Sequence, residues 1–464
     1  MTDNFIQYPG QDISLNQIPR LSDTPEHIIP LESLNKRSVP PSKMFLIKLE
    51  LNEFTMHNPG VPVYDASQGD GGLSLGGIPR EELAEALIRY LPAERTTMYG
   101  TPVGREDIRR AIIENYYKFE PRTGLTPDHV VLGDGGRDVL QKWYQVVQQS
   151  GGRYGDLVLV SAAPWPSYLQ GPYINGLNIL LAPGDPNNDF KIKPEGINES
   201  IAFAARNGQK IKGLIITSPD NPTGNYMDMD EILHLIQHAV SRGIEYILID
   251  LMYQAVIDPE VKPYDFNFLF QELTQKELKS VCLMDGLTKK AGASNLRNAH
   301  LVCPREDIVQ KIKGIATHTV LPNALGEAAA LEIYSQNEPT HHPWVKKVVV
   351  TTAESRKIVK SRFKELGYRF ICHQGYYAFI NIWKYLGKKM PEDKVLKEKN
   401  GNQIKTIKNV NTLKSYLSTK CGVAVIHGNV FKQPDFIRFS YANTPEYTSG
   451  AIDRLHESLS ALED

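Results

Sequence analysis

Short, uninterrupted apolar runs recur through the middle of the chain. Seven of them, each five to seven residues long, occupy positions 129–133, 156–162, 178–182, 213–218, 246–250, 280–285 and 299–303. Because apolar residues fill consecutive positions instead of alternating with polar ones, these runs predict strands that are covered on both faces. Helical patterns such as 229–243 fall between several of them. The alternation predicts an α/β domain with a mostly parallel mixed sheet and helices on both of its faces.

The N-terminal region has a different pattern. Residues 1 to about 40 are rich in Pro, Ser, Asn and Asp, and they predict an extended arm. Ser42 is predicted to cap a helix that runs through residue 54, and the sequence HNPG at 57–60 ends it. Residues 104–119 predict another amphipathic helix, because acidic residues fill its first turn.

Beyond about residue 345 the pattern changes again. Residues 348–367 predict a long helix, while 376–383 and 436–442 alternate like strands with one exposed face. The lysine-rich stretch 384–412 predicts a solvated excursion, with a basic recognition loop as the alternative. We therefore expect three parts, namely an N-terminal arm and helix (1–64), a large domain (65–344) and a smaller C-terminal α/β domain joined by the arm (345–464).

Composition narrows the class of protein. The 464 residues include 52 Lys plus Arg and 53 Asp plus Glu, which gives a formal net charge of −1. This balance argues against a general surface for nucleic acid or for an anionic membrane. The four cysteines form no CxxC pair, which favours a reducing, cytoplasmic compartment. The chain has no apolar run of about 18 residues and no N-terminal secretory pattern, so we expect no membrane span.

Small and polar residues at the ends of the predicted strands carry the candidate chemistry. In open parallel sheets, ligands bind beyond the carboxyl ends of the strands. Gly135, Gly136 and Arg137 follow the first run and suit an anion, because backbone N–H groups and a helix N-terminus favour negative charge there. A tight turn without a ligand explains these glycines equally well. Trp165 follows the second run between two prolines, and it either stacks on a ligand or belongs to the core.

Three later strand ends add an amide, an acid and an amine. Asn221 lies within the turn SPDNPTG, Asp250 closes the run YILID, and Tyr253 follows three residues later. Taken alone, Asp250 either caps the next element or holds a cation in a dry site. Lys289 lies four residues beyond Asp285, past the run SVCLM. An amine near an anion site, an acid and an aromatic ring is able to form an imine with an aldehyde cofactor.

Together these motifs resemble those of the class I/II aminotransferases, the fold-type I family of pyridoxal 5'-phosphate (PLP) enzymes. SPDNPTG is similar to the family's NPxNPTG turn, DLMY resembles its DExY, and GLTKKAGASNLR resembles its SxSKxxGxxGxR. The resemblance covers roughly residues 65–445. It implies a fold-type I architecture, PLP as cofactor, and ping-pong transfer of an amino group between an L-amino acid and a 2-oxo acid.

The resemblance also distinguishes two adjacent lysines. In the family, the lysine that bonds to PLP precedes an arginine by eight positions and a glycine by three or five. Lys289 meets this spacing with Arg297 and Gly292, whereas Lys290 is one position short of the arginine spacing. The resemblance therefore implies Lys289 as the covalent site and as the base that moves the substrate proton, and we expect Lys290 to be solvated or a charge at the cofactor rim.

Further roles are implied in the same way. Asp250 pairs with the ring nitrogen of PLP, Tyr253 and Asn221 hydrogen-bond its phenolic oxygen, and Trp165 stacks on the ring. The phosphate-binding set is Arg297, Gly135, Gly136, Arg137 and Thr288.

Two other matches concern the substrate and a partner subunit. Arg438 in FIRFSYA resembles the arginine that binds the substrate carboxylate, with a surface strand arginine as the alternative. Gly69, Asn221 and Trp165 are the other predicted substrate contacts. Tyr99 resembles a tyrosine that reaches the phosphate of the neighbouring subunit, which implies a homodimer with shared active sites; the alternative is a core tyrosine.

Several positions depart from the family pattern and leave the substrate and outcome open. Asp134 stands near the predicted phosphate site, where we expect Arg137 to pair with it, and His427 replaces a usual proline. A PLP-dependent lyase, decarboxylase, cyclase or oxidase would use the same residues. A sensor domain of a regulator would need an attached DNA-binding domain, and a dehydrogenase would need GxGxxG on the first strand. We predict no metal site.

Overall fold

A computed structural model describes residues 47–92, 94, 97–150, 153–398 and 401–464. The predicted arm, Ser42 and the start of its helix lie outside these residues. The helix is present from Ile47 to His57, three residues beyond the predicted end. No helix within the described ranges has the length and apolar character that a bilayer span requires.

The central sheet has seven strands, and all seven were predicted from the apolar runs. They are β2 (Val130–Asp134), β3 (Leu157–Val160), β4 (Asn178–Leu181), β5 (Ile211–Thr217), β6 (Tyr246–Asp250), β7 (Val281–Gly286) and β8 (Asn298–Val302). Their order is β2-β8-β7-β6-β5-β3-β4, in which only β8 runs antiparallel to its neighbours. The prediction of a mostly parallel mixed sheet is therefore confirmed.

Short strands complete the β-structure of the described residues. They are β1 (Tyr64–Asp65), β9 (Phe370–Ile371), β10 (Tyr377–Asn381), β11 (Leu396–Lys397), β12 (Gln403–Ile404), β13 (Val423–Ala424), β14 (Ile426–His427) and β15 (Phe436–Ser440). A smaller sheet has the order β14-β15-β10-β9, and β1 pairs with β13 in parallel. The N-terminal part of the described chain thus joins the C-terminal part through backbone hydrogen bonds.

Helices cover the sheets. The α-helices are Ile47–His57, Gly71–Ser74, Arg80–Tyr90, Glu106–Ala111, Gly136–Gln149, Pro166–Ile174, Pro194–Arg206, Met229–Ser241, Phe266–Glu272, Gln275–Leu278, Leu287–Lys290, Glu306–Thr317, Ala324–Tyr334, Pro343–Glu365, Val410–Lys420 and Pro445–Ser460. A π-helical segment, Ile112–Tyr116, continues Glu106–Ala111, so the predicted helix at 104–119 is present with a change of geometry. The helix predicted at 229–243 is confirmed as Met229–Ser241.

The prediction that β10 and β15 each expose one face is wrong. Every residue of β15 is buried, and only Asn381 of β10 is partly exposed. One face packs in the C-terminal core with Ile380 and Phe439, whereas the other turns Phe379 toward the core of the large sheet. These strands therefore lie between two hydrophobic cores, which places their second face next to the carboxyl ends of the central strands.

The lysine-rich stretch is less solvated than predicted. The β11–β12 hairpin lies within it, and Leu396 and Ile407 are buried in the C-terminal core. Apolar residues spaced between the lysines thus anchor the described part of this stretch to the protein.

Candidate active site

A cavity of about 490 Å³ lies beyond the carboxyl ends of the central strands. It brings together most of the residues that the sequence predicted for the site. Those that line it are Gly69, Gly136, Arg137, Trp165, Asn221, Asp250, Tyr253, Thr288, Lys289, Arg297 and Arg438. The strand ends converge because parallel neighbours in one sheet finish at the same edge.

Asp250 lies at the end of β6 and is buried. Its Oδ2 accepts a hydrogen bond from Tyr168 Oη at 2.5 Å, and its Oδ1 accepts one from the backbone N–H of Met252 at 3.0 Å. Burial raises the pKa of Asp250 to about 6, and these hydrogen bonds oppose part of the rise. A carboxylate that is costly to ionise in isolation favours a cationic ligand in the same cavity.

Lys289 points its amine toward the cavity. Its Nζ donates to Gly69 O at 2.6 Å, and its backbone carbonyl accepts from Tyr376 Oη at 2.5 Å. The Lys289 amine has no carboxylate partner within the described residues and lies 5.7 Å from the centre of the Tyr253 ring. Lys289 is therefore the amine available for chemistry.

The expectation that Lys290 is solvated or a rim charge is wrong. Its side chain is only 1% exposed and forms an ion pair with Asp285, which is fully buried, at 2.5 Å. Asp285 also accepts hydrogen bonds from Tyr116 Oη and Gln254 Nε2, both at 2.6 Å. Burial lowers the pKa of Lys290, while Asp285 opposes that change. The second lysine thus belongs to a polar cluster behind the cavity.

Two arginines mark the other end of the cavity. Arg297 donates to Ser294 O at 2.8 Å, while Arg137 lies 5.6 Å from the centre of the Trp165 ring. Burial and the nearby Arg297 lower the pKa of Arg137. In the described part of the chain, neither guanidinium forms an ion pair with a carboxylate. Two unneutralised cations beside each other favour an anionic ligand.

Glycine is required next to these arginines. Gly135 precedes the helix Gly136–Gln149, has φ of 88°, and would overlap Arg297 Nη2 if it carried a Cβ atom. Gly136 lines the cavity at the first turn of this helix, where free N–H groups favour negative charge. Gly135 itself lies behind Arg297 and does not line the cavity.

Arg438 is almost completely buried on β15. It donates through Nη1 to Asn221 Oδ1 at 2.8 Å and through Nη2 to Ser67 O at 2.7 Å. Its Nε has no partner among the described residues. The alternative of a surface arginine is therefore wrong, and Arg438 is positioned to bind an anion in the cavity.

Asn221 is held in place by its own turn. Asp220 accepts hydrogen bonds from the side chain of Thr223 at 2.5 Å and from its backbone N–H at 3.2 Å. Burial raises the pKa of Asp220 to about 7. The acid in SPDNPTG thus closes the turn that presents Asn221 to Arg438.

Sequence reasoning missed two tyrosines of the site. Tyr168 binds Asp250, and Tyr377 at the start of β10 lies 3.1 Å from Tyr253, Oη to Oη. Both residues line the cavity. Tyr168 lies three residues after Trp165, in the stretch PWPSY (164–168) that follows the second predicted strand, so its place at a strand end was a usable signal. Tyr377 had none, because a tyrosine in an apolar strand is ordinarily read as core.

Three other residues singled out in the sequence lie outside the cavity lining. Tyr99 is 94% exposed and does not line the cavity of its own chain, so the alternative of a core tyrosine is wrong. Asp134 accepts a hydrogen bond from Asn323 Nδ2 at 2.6 Å in place of the expected pairing with Arg137. His427 is half-buried, lies outside the cavity lining, and has a pKa lowered to about 4, first by burial and then by Lys414.

Comparisons of the sequence and of the structure with known proteins agree on one family. The family model described as "Aminotransferase class I and II" matches residues 71–455. An aspartate aminotransferase of Bacillus sp. (strain YM-2) is 24% identical over 368 residues, covering 77% of this chain and 83% of its own. One from Geobacillus stearothermophilus is 24% identical over 387 residues, with coverage of 82% and 88%. The crystal structure of the Rhizobium meliloti aspartate aminotransferase superposes with a TM-score of 0.75 at 18% identity, covering 92% of this chain and 98% of that one.

Proposed function

The chain belongs to the class I and II aminotransferase family, and on that premise we propose that its amino-transfer chemistry takes place in the cavity around Lys289. The family makes the chain a PLP-dependent transaminase that uses amino acid and 2-oxo acid substrates. The single observation that supports this location is the position of the Lys289 amine, which shares the cavity with the buried Asp250 and has no carboxylate partner among the described residues.

The residues of the cavity fit the chemical parts of PLP. Asp250 offers a buried carboxylate to a protonated ring nitrogen, and Lys289 offers an amine to the aldehyde. Arg137 and Arg297 offer two guanidinium groups without carboxylate partners in the described part of the chain to the phosphate, beside the helix N-terminus at Gly136. Thr288 lines the same cavity. We assign the cofactor site to these residues.

Each residue then has a defined task. PLP supplies an aldehyde that takes up the amino group and a ring that withdraws electrons from the substrate α-carbon. Asp250 would hold the ring nitrogen in its protonated form, because burial makes this carboxylate costly to ionise unless a positive charge lies beside it. Lys289 takes the proton from the α-carbon of the amino acid once its amine is free. Arg438 would bind the α-carboxylate, and Tyr253 would donate a hydrogen bond to the ring's phenolic oxygen.

The remaining substrate contacts follow from the position of Arg438. Asn221 fixes its guanidinium, and Gly69 provides the carbonyl that holds the Lys289 amine. Trp165 lines the cavity and would stack on the cofactor ring.

The proposal also concerns which amino acid donates the amino group. Two of the relatives are named aspartate aminotransferases, so aspartate is the first amino donor to test, against a panel of 2-oxo acids. Among the residues that the structure describes, the lysines and arginines that line this cavity are all assigned already, namely Arg137, Lys289, Arg297 and Arg438. A second substrate carboxylate would therefore need a cation from beyond this set. The exposed side chain of Tyr99 supports a homodimer in which each subunit completes the other's site. We also propose that the enzyme is located in the cytoplasm.

A colour change tests the proposal. Protein loaded with PLP is mixed with one amino acid at a time, and the absorbance near 400 nm is followed before a 2-oxo acid is added. We expect a donor to bleach the band and an acceptor to restore it, with the 2-oxo acid product formed in equal amount. Borohydride reduction followed by peptide mapping should place the adduct on Lys289. Release of ammonia without any need for a 2-oxo acid, or an adduct on another lysine, would contradict the proposal.

A further inference from the structure

Tyr377 occupies a central position that its sequence context did not reveal. It begins β10, while Arg438 lies on the neighbouring antiparallel strand β15 opposite Phe379. Because side chains two residues apart share one face of a strand, Tyr377 and Arg438 are diagonal neighbours on the face toward the cavity. The Arg438 guanidinium carbon lies 4.2 Å from the centre of the Tyr377 ring. The ring thus supports the group that we assign to the substrate carboxylate.

The hydroxyl of Tyr377 lies beside the reactive amine. A Cβ atom on Gly69 would overlap this hydroxyl, so Tyr377 rests directly against the glycine backbone. The carbonyl of the same glycine accepts the hydrogen bond from Lys289 Nζ. Only a residue without a side chain allows the hydroxyl and the amine to share this backbone segment.

Tyr253 donates a hydrogen bond to Tyr377. The two hydroxyl oxygens lie 3.1 Å apart, with Tyr253 as donor. Burial acts to raise the pKa of Tyr377, but Lys289, Arg438 and the hydrogen bond from Tyr253 outweigh it, so the net pKa lies below the ordinary value. Burial raises the pKa of Tyr253 well above its ordinary value. The geometry thus makes Tyr253 the hydrogen-bond donor and the Tyr377 oxygen the acceptor, and the order of the two pKa values agrees with this direction.

Other charged and titratable groups face this pair from the surrounding elements. For Tyr377 they are Lys289, Arg438, Asp70 and Tyr253, and for Tyr253 they are Tyr377, Arg438 and Tyr376. Asp70 acts against the two cations, but it is occupied by hydrogen bonds from Gly72 N at 3.1 Å and Ser294 Oγ at 3.0 Å. Lys289 and Arg438 therefore lower the pKa of Tyr377 by more than Asp70 raises it.

We propose that Tyr377 is a positioning residue that competes with the bound cofactor for the proton of Tyr253. This inference rests on the proposed function, in which Tyr253 donates to the phenolic oxygen of PLP. One hydroxyl hydrogen serves two acceptors, so the Tyr377 oxygen weakens the hydrogen bond that the cofactor receives. Loss of this acceptor should strengthen that bond, whereas loss of Tyr253 should remove it.

The two variants should therefore shift one spectroscopic property in opposite directions. A hydrogen bond to the phenolic oxygen favours the form of lysine-bound PLP that has lost its proton. We expect Tyr377→Phe to lower the pH midpoint of the absorbance change of protein-bound PLP by about 0.5 to 1 unit, the equivalent of one ordinary hydrogen bond. Tyr253→Phe should raise this midpoint. Neither readout requires turnover.

A matched control separates this effect from general damage to the fold. Tyr416→Phe removes the hydroxyl of another buried tyrosine, which donates to Ser458 O at 3.1 Å in the C-terminal core. We expect its midpoint to equal that of the wild type. Gly69→Ala should displace the Tyr377 hydroxyl and lower the midpoint as Tyr377→Phe does, which provides a second route if the tyrosine variant fails to fold.

The outcomes distinguish the inference from the function on which it rests. Borohydride labelling of Lys289 in the wild type is checked first, and its absence would remove the proposed function itself. With labelling present, an unchanged midpoint in Tyr377→Phe would overturn the proposed competition. A shift upward, in the direction of Tyr253→Phe, would also overturn it, because Tyr377 would then support the donor.

Discussion

Replacing Lys290 by Met tests the buried ion pair behind the active site. The Lys290 and Asp285 side chains are 1% and 0% exposed, and their charged atoms lie 2.5 Å apart. Removal of the cation leaves a carboxylate in a dry environment, and breaking a buried pair in this way costs about 3–5 kcal/mol. Three neutral donors remain on Asp285, from Tyr116, Gln254 and the Gly286 N–H, each at 2.6 Å. They offset part of the loss, so we expect about 3 kcal/mol.

The reverse replacement should cost less. Asp285→Asn leaves Lys290 buried without its acid, but burial already lowers the pKa of this amine, so it can lose its proton. The double variant contains neither charge. We therefore expect its loss of unfolding free energy to be smaller than the sum of the two single losses by about 2 kcal/mol, which is a typical coupling for contacting residues.

The assay is urea unfolding at saturating PLP, followed by far-ultraviolet circular dichroism and by tryptophan fluorescence. Coincidence of the two transitions establishes that a single free energy is meaningful for each variant. Lys118→Met is the matched control, because it removes a lysine from an ion pair with Glu338 in which both side chains are about half exposed, and we expect little change.

Two results would refute this reasoning. If Lys290→Met lowers the unfolding free energy by less than about 1 kcal/mol, the loss of Lys290 does not leave a costly unpaired carboxylate at Asp285. Additive losses in the double variant would mean that the two side chains do not act on each other. The same Lys290→Met protein should still carry the borohydride adduct on Lys289, and disappearance of that adduct would reassign the covalent lysine.

Three further predictions follow from the site. Arg438→Gln should reduce kcat/KM for the amino acid roughly tenfold to a hundredfold through a higher KM, because a charged hydrogen bond contributes about 1.5–3 kcal/mol; steady-state kinetics measures this, and an unchanged KM would contradict the assignment. Gly135→Ala should weaken PLP binding in an absorbance titration, since its φ of 88° and its contact with Arg297 exclude a side chain. Asp250 has a folded pKa raised to about 6, so its contribution to stability is present at low pH and is lost as pH rises through 6. In cofactor-free protein, the unfolding free energy should fall by about 1 kcal/mol more in the wild type than in Asp250→Asn between pH 5 and pH 7, and parallel profiles would contradict this.

The central sheet was predictable because its strands are buried on both faces. Burial on both faces leaves a run of apolar residues such as 246–250, and such a run is visible without any knowledge of its neighbours. β10 and β15 were misjudged for the opposite reason. Their alternation suggested an exposed face, but that face packs against the core of the central sheet, and a contact between distant segments leaves no local signal.

The candidate site shows the same division. Asp250, Asn221 and Lys289 follow buried strands, so the convergence of parallel strand ends was enough to group them. Tyr377 reaches the cavity from the smaller sheet, and Ser67 supplies only a backbone carbonyl. Neither has a sequence feature that separates it from an ordinary core or loop residue.

The two adjacent lysines show most directly what each level decided. The sequence alone determined that an amine follows the strand ending at Gly286. The order of residues is enough for this, because Lys289 comes four residues after the end of the apolar run that predicts the strand. The tertiary structure decided what surrounds each amine. Successive residues of a helical turn point about 100° apart, so Lys289 faces the cavity while Lys290 faces the buried Asp285. Asp285 is near Lys290 in sequence, but Tyr116 and Gln254, which hydrogen-bond to Asp285, come from segments far along the chain, and only folding brings them to this ion pair.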